Sequence, residues 1–599
     1  MTRNRDIRRW LVTTVCLLAC VGQLALASDQ GVQPTVATLD NGLKLLLVER
    51  HEQPTVAACL IFDVGSCNDP AGVSGIAHMF EHMMFKGTHV IGTSDYEAEQ
   101  MLIAEQDDLR DKMNAEMNRM RLMKRRGELE DVLDPGQWTP EYRAMKAEYD
   151  KLLAAERQLM VDNELDKIYS SNGGAMLNAG TAEDMTVYFV QLPANKLELF
   201  FWLESDRMAN AVMREFYVER ENVREERRLR TESTPTGKFD EAFEALFWQS
   251  HPYGRPVIGW ASEVESITRD DVREFFKVHY APNNATLVLV GDFDEERVIE
   301  MAQQYFGHIP LGVQEPPPVI TEEPKPIAER RFYAEAETNP QVRIRFHGVA
   351  IGHADQAALD VAGGLLSGRS GRLYKRLVTA EDMAIGEPYA SNLSRKYAGY
   401  FELGATVKEG HTPEEVEQVL LAEIEKLRSG EIDEKELEKV KNQVLASSIR
   451  GLRNNLGLMF QLAVNETWYK WEQINEGPKL MLAVTAEDVQ HVITEYMDIG
   501  TRTVAIYRTK GGTTIDEADA ELDALLADLP PGAAPQVKAM IKQLKTAEDL
   551  DQLTKRLQMM EQAQATGQVP EEQRPLFEYM LKALKARVAE LEASKKESN

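Results

Sequence analysis

From residue 34 onward, short runs of apolar or alternating residues take turns with longer stretches of helical period. Thr35–Leu39, Leu43–Glu49 and Thr55–Val64 are β-rich, and Asn41-Gly42 lies between the first two, so a hairpin and a third strand are predicted. Between Ser74 and Phe85 the apolar residues Ile76, Phe80 and Met83/Met84 recur at helical spacing, with Ser74 placed to cap the helix. Residues 97–168 are long, charged and rich in Met, Leu, Glu, Lys and Arg, interrupted at Asp134-Pro-Gly-Gln-Trp-Thr-Pro140. That pattern predicts two antiparallel helices about a turn, read as a solvated arm inserted into the fold, with docking of a partner or substrate as its alternative. After Gly173-Gly174 come a strand (Met185–Gln191), a helix (Ala194–Met213), a charged helix (Glu215–Arg230) and a strand at Thr286–Gly291. Six prolines between Pro310 and Pro326 predict an extended, semi-rigid connection.

Beyond the prolines the order recurs. A strand at Val342–Phe346, a helix from Asp355, a turn at Ser367–Gly371, a strand near Tyr400–Val407, helices from Thr412 and a closing strand at Thr503–Arg508 follow one another. Strands with helices, a linker, then strands with helices predict an α+β fold of two similar domains, each an antiparallel sheet with helices packed on it, rather than a βαβ array. The expected boundaries are 28–309 for the first domain with its helical-hairpin insertion at 97–168, 310–330 for the linker, 331–510 for the second domain and 511–599 for a helical C-terminal extension.

A length of 599 residues accommodates several domains, and 43% hydrophobic with 28% charged residues is ordinary for a globular chain. The net charge of −29 repels phosphate backbones, so nucleic acid is not an expected partner. Residues 1–27 differ from the rest: Arg3, Arg5, Arg8 and Arg9 precede an apolar run from Trp10 to Ala19, and Ala25-Leu-Ala27 offers a cleavage site. This is a secretory leader, too short to span a membrane. Leu17-Leu-Ala-Cys20 also approximates a lipoprotein signal, so a membrane attachment is expected only if Cys20 is lipidated. An exported protein of the bacterial periplasm follows, with a lipid-anchored envelope protein as the alternative. The two remaining cysteines, Cys59 and Cys67, read as small buried apolar groups.

The chemistry concentrates in His78-Met-Phe-Glu81-His82. Two histidines four apart on a helix project from one face, close enough for both imidazoles to reach one Zn²⁺, and Glu81 beside them is placed to take a proton from water. This is the inverted His-x-x-Glu-His motif. A hydrolytic zinc needs a third protein ligand. In the charged helix Phe216, Glu219, Val223 and Glu226 share one stripe, so the apolar members carry both carboxylates inward while Glu221 and Glu225 point away. Glu226 is then the candidate third ligand and Glu219 an orienting group behind the site. On periodicity alone, a solvated acidic helix is equally open.

These residues and several others, in order, resemble the pitrilysin-type M16 family of zinc peptidases. The resemblance runs from about 34 to 510 and rests on Gly75–Thr88, Asn178-Ala-Gly-Thr181 with Asp184 and Tyr188, Val223-Arg-Glu-Glu226, His251-Pro-Tyr253, Pro256–Gly259 and Tyr280–Asn284. It implies one Zn²⁺ per chain on His78, His82 and Glu226, Glu81 as the catalytic base and Glu219 in support. It also implies a zinc-dependent endopeptidase that closes a clamshell chamber around peptides, which add as a strand to a sheet edge at Asn178, Ala179, Thr181 and Tyr188. The alternative is a non-catalytic scaffold or peptide-binding subunit. Family members often supply an Arg and a Tyr seven residues apart to grip the substrate carbonyl. The corresponding places here hold Val378 and Ile385, so the resemblance implies a dimer in which a second M16-like chain brings that pair.

Overall fold

The computed structural model describes residues 31–510, the helix Leu550–Ala565 and scattered positions between 577 and 591. The expected leader, with Cys20, and most of the C-terminal extension lie outside the described residues.

Among the described residues, eleven strands form two sheets. The first contains β1 (Thr35–Thr38), β2 (Lys44–Glu49), β3 (Thr55–Phe62), β4 (Ala175–Thr181), β5 (Thr186–Pro193) and β6 (Ala285–Gly291), in the order β1-β2-β6-β3-β5-β4. The expected hairpin is present, Val36 pairing with Leu46, but β6 lies parallel to β2 and separates it from β3, so this sheet is mixed and not the antiparallel one expected. The second sheet contains β7 (Arg330–Ala336), β8 (Gln341–Gly348), β9 (Ala384–Ser394), β10 (Gly399–Val407) and β11 (Thr503–Thr509), in the order β7-β11-β8-β10-β9. Helices cover one face of it, with Leu359, Leu366, Leu420 and Val492 packed on Val342, Ile344 and Leu403.

The first sheet is apolar on both faces, which is why Thr55–Phe62 reads as an unbroken hydrophobic run rather than an alternation. One face, with Leu45, Leu60, Phe62 and Leu289, packs on the helices of its own half. The other, with Leu46, Ala57, Cys59, Ile61 and Val288, is covered by Leu458, Met459, Leu462 and Ala463 of the helix Asn455–Trp468, which comes from beyond the prolines. Cys59 and Cys67 are buried free thiols. The proline-rich segment is held down at Glu323, whose carboxylate accepts from the backbone N–H groups of Gln249, Ser250 and His251.

Four of the helices that follow border the site, and the fifth carries Glu241, which pairs with Arg227 at the end of the fourth. They are α1 (Ile76–Met83), α2 (Tyr96–Arg125), α3 (Pro140–Leu159), α4 (Phe216–Arg227) and α5 (Gly237–Phe247). Ser74 does not cap α1. The capping position is Gly75 in the left-handed region at φ 88°, and Asp69 takes the cap's work from a distance, accepting from the N–H groups of Gly75 (2.7 Å) and Ala77 (3.1 Å). Ser74 Oγ instead accepts from Trp260 N.

Helices α2 and α3 are the expected antiparallel pair, followed by a further short helix at Glu164–Ser171. As expected of an arm, they pack chiefly on each other and keep most of their surface in solvent, and one buried stripe runs on into the domain. Met113, Met117, Met120, Tyr142 and Tyr149 join the core of the first half. At the root, Glu99 meets Arg214 at 2.6 Å with both side chains at most 1% exposed, and Gln106 bridges Arg269 and Glu156. The Arg110 guanidinium lies 4.0 Å from the centre of the Tyr217 ring. Met113, Met117 and Met120, at helical spacing, and Tyr142 and Tyr149 form the buried stripe.

Candidate metal centre

α1 is fixed from beneath by Phe80, whose ring lies 4.1 Å from that of Tyr280 and 5.3 Å from that of Phe276. Burial of Phe80 and Met79 turns His78 and His82 together toward α4, their ring centres 4.8 Å apart. α4 is anchored by Phe216 and Val223, both with no exposed surface, and presents Glu219 and Glu226 one turn-pair apart on the same side. Glu226 Oε2 stands 3.3 Å from His82 Nε2 and 3.8 Å from His78 Nε2. One ligand atom from each of these three residues lies within 4.8 Å of the other two, the one such grouping among the described residues. Bonds of about 2.0–2.1 Å at tetrahedral angles would separate ligand atoms by roughly 3.4 Å, so the set fits a zinc ion. Glu225, by contrast, is 63% exposed and paired with Arg228.

The electrostatics suit the same fit. Burial, with the neighbouring His82 and Arg230, lowers His78 to about 3, so it is neutral and free to ligate; its Nδ1 finds no hydrogen-bond partner. Burial disfavours charge on His82, but the hydrogen bond and charge of Glu219, then Glu81 and Glu226, outweigh it and hold its pKa above the usual value. His82 Nδ1 lies 2.9 Å from Glu219 Oε1, which commits that nitrogen and leaves Nε2 facing Glu226. Glu219 itself is held near 2: burial pushes its pKa up, and the hydrogen bonds from His82 and Lys86 overcome it. Lys86 Nζ is 2.5 Å from Glu219 Oε2, and Asn222 donates to the same oxygen at 3.1 Å.

Glu81 faces the cleft from α1. Its Oε2 accepts the Thr181 hydroxyl at 2.6 Å, and burial raises its pKa against that bond. Thr181 ends β4, the edge strand of the first sheet, and Asn178, Ala179 and Gly180 line the cleft beside it. The expected substrate edge of Asn178–Tyr188 is corrected here: it spans two strands, and Tyr188 belongs to the internal β5. At 2% exposed, with its hydroxyl 3.2 Å from that of Tyr280, Tyr188 packs in the core and does not reach the cleft. β4 bulges between Ala175 and Asn178, with Met176 at φ 58°.

The cleft holds about 1040 Å³. Its lining includes groups the sequence reading passed over. Lys86 stands four residues after His82, a spacing that pointed to it. Arg230 stands four after Glu226, with Nη1 2.8 Å from Glu226 Oε1. Met160–Leu165, the exit from α3, forms a wall that no local pattern announced, since it is brought in by the pairing of Val161 N with Gly92 O and of Gly92 N with Glu164.

Comparison with known proteins agrees with this architecture. The family model described as insulinase, peptidase family M16, matches residues 44–122, and that described as the peptidase M16 inactive domain matches 266–444; Glu219 and Glu226 fall between them. The zinc protease PqqE of Helicobacter pylori is 25% identical over 501 residues, covering 82% of this chain and 97% of its own. The mitochondrial-processing peptidase β subunit of Saccharomyces cerevisiae is 22% identical over 48% of this chain and 65% of its own. Among solved structures, a protease from Helicobacter pylori aligns with a TM-score of 0.65 at 24% identity, over 80% of this chain and 100% of that one. The M16 inactive-domain protein of Pseudomonas fluorescens aligns at 0.62 and 16% identity, over 81% and 99%. Both M16 domain types are thus matched in order along the chain, and its two-sheet fold is shared with solved M16 structures.

Proposed function

We propose that this chain is an exported zinc endopeptidase that hydrolyses peptides lying along β4. The observation that carries the reading is the convergence of His78, His82 and Glu226 beside a buried carboxylate, Glu81, which is itself tied to the edge strand through Thr181. A zinc ion bound there would supply Lewis acidity to the scissile carbonyl and to a water molecule. The protein's own groups do the rest. The open edge of β4 offers backbone N–H and C=O groups to an extended peptide, with Asn178, Ala179 and Thr181 alongside, a mode that tolerates varied side chains. Glu81 Oε2 is occupied by Thr181, so Oε1 takes the proton of the attacking water and returns it to the leaving nitrogen; the raised pKa of Glu81 brings it closer to working pH. Glu219 and Lys86 fix the ring of His82 and thus the angle at which its Nε2 faces the ion.

Export is proposed from the leader, and a related fold described as the periplasmic protease PqqL of Escherichia coli supports that compartment. Lipidation at Cys20 is the alternative for its attachment. A second M16-like chain is proposed to close the cleft into a chamber. The test is metal analysis of the purified protein with a peptide-library digest, with and without chelator. Near-stoichiometric zinc and chelator-sensitive cleavage are expected; zinc-free protein, or protein that holds peptides without cutting them, would favour the non-catalytic scaffold.

A further inference from the structure

Amide hydrolysis builds negative charge on the carbonyl oxygen, and a donor placed there is worth a large part of the rate. The Arg/Tyr pair implied by the family is absent: Val378 packs at the margin of the second sheet's core, and Ile385 lies on β9. Two cations line the cleft, Lys86 and Arg230. Lys86 is committed to Glu219 and, at 3.7 Å, to Glu215. Arg230 is placed otherwise. It sits on a π-helical turn, Arg228–Glu232, that continues α4, and its side chain is 72% exposed. Its Nη1 reaches Glu226 Oε1 at 2.8 Å, while Oε2 of the same carboxylate faces His78 and His82. The guanidinium is therefore moored one carboxylate away from the ligand cluster, on a side chain that lines the cleft and keeps most of its surface exposed. Single π turns within α-helices are frequent at functional sites.

We infer that Arg230 is a catalytic residue of this chain, donating to the substrate's carbonyl oxygen and to the oxyanion it becomes. The inference rests on the peptidase reading above. In the step, the water oxygen bonds to the carbonyl carbon, its proton passes to Glu81, and the carbonyl π pair moves to the oxygen that Arg230 holds. Collapse returns that pair, breaks the C–N bond and sends the Glu81 proton to the leaving nitrogen. The donor expected from a second chain is then already present in cis.

The full mature chain, its Arg230→Ala and Arg230→Lys variants, and each of these with Glu81→Gln separate the roles. Three readouts are needed: kcat and KM on a peptide, zinc affinity by chelator competition, and the affinity of a phosphinic peptide that mimics the tetrahedral carbon against that of the uncut peptide on the Glu81→Gln background. Arg230→Ala is expected to lose about 10²–10³ in kcat and a similar factor in phosphinic-peptide affinity, with KM, zinc affinity and uncut-peptide affinity moving less than about threefold, and Arg230→Lys recovering part. Zinc affinity falling in step with kcat would reduce Arg230 to a positioning residue for Glu226 and overturn the inference, as would an unchanged kcat or full activity supplied by a partner's Arg/Tyr pair regardless of Arg230. A wild-type chain that binds zinc and peptide without cleaving overturns the peptidase reading itself.

Discussion

Glu99→Ala is expected to be one of the most damaging single changes in the molecule although Glu99 is not part of the ligand cluster. Arg214 lies just before α4 with 1% of its side chain exposed, and its guanidinium is spent on Glu99 (Nε to Oε1 at 2.6 Å, Nη2 to Oε2 at 3.0 Å) and on the carbonyls of Lys86, Thr88 and Ile91. Gly87 and Gly92, both at positive φ, let the loop wrap the guanidinium so closely that a Cβ on Gly87 would stand 2.9 Å from Arg214 Nη1. Removing the carboxylate leaves a buried cation with three neutral acceptors, a loss of about 3–5 kcal/mol. For a domain of this size that corresponds to a fall of roughly 6–20 °C in Tm. The double variant Glu99→Leu/Arg214→Met buries no charge, so it should be more stable than Glu99→Ala by at least about 1 kcal/mol, short of the parent because the three carbonyls lose their donor. Thermal unfolding followed by circular dichroism measures both, and hydrogen exchange should report faster opening of residues 86–94. A Glu99→Ala protein within about 0.5 kcal/mol of the parent, the usual surface range, would refute the reasoning, since it would mean that the root of α2 is wet in solution.

Glu81→Gln should keep near-stoichiometric zinc by metal analysis while losing peptide turnover, because it removes the base and no ligand; loss of the metal would show that Glu81 had been given the wrong role. In chelator competition, Glu226→Gln should weaken zinc and Glu225→Gln should not, while Glu219→Ala should cost about 10–100-fold through the freed His82 ring; an effect of Glu225 would mean that α4 is turned. Burial raises Asp184 to about 6 despite the hydrogen bonds from Tyr253 and Cys67. The folded pKa lies above the unfolded one, so this group stabilises below about pH 4 and the contribution is lost as pH rises through about 6, a total of about 3 kcal/mol. Asp184→Asn should therefore flatten the fall in urea stability between pH 4 and 7, and an unchanged slope would show the carboxyl to be solvated.

What could be read from the sequence was local and periodic. His78, Glu81 and His82 share one helix, and the 3-4-3 stripe of Phe216, Glu219, Val223 and Glu226 separates Glu226 from Glu225 because two apolar residues decide which way the helix faces. Edge strands were harder. β4, with the sequence Ala-Met-Leu-Asn-Ala-Gly-Thr, is wet along most of its length and lacks the alternation that marks a half-buried strand, and in β7 and β9, the edges of the second sheet, the alternation is short and its buried positions include small residues such as Ala334, Ala336 and Ala390. Partners far apart in the chain were not legible at all. Nothing near Arg214 announces Glu99 115 residues away, and nothing near Asp69 says that it would cap α1 in place of Ser74. The arm's helices were legible but not the stripe of Met and Tyr that it buries, and Tyr188 was misplaced because its strand was assigned to the edge.

The helix Asn455–Trp468 on the outer face of the first sheet also sets a schedule for biosynthesis. The strands β1 to β6 are all made by residue 291, yet the surface formed by Leu46, Ala57, Cys59, Ile61 and Val288 is covered only when Leu458, Met459 and Leu462 have been translated. At ribosomal speeds of about 5–20 residues per second, the nascent chain carries that oily strip uncovered for roughly 9–35 seconds. A chain released at the prolines would keep it for good. The first half is thus dependent on the second for solubility during its own birth, and a chaperone or translocation machinery that holds the chain extended until residue 468 has passed removes the hazard.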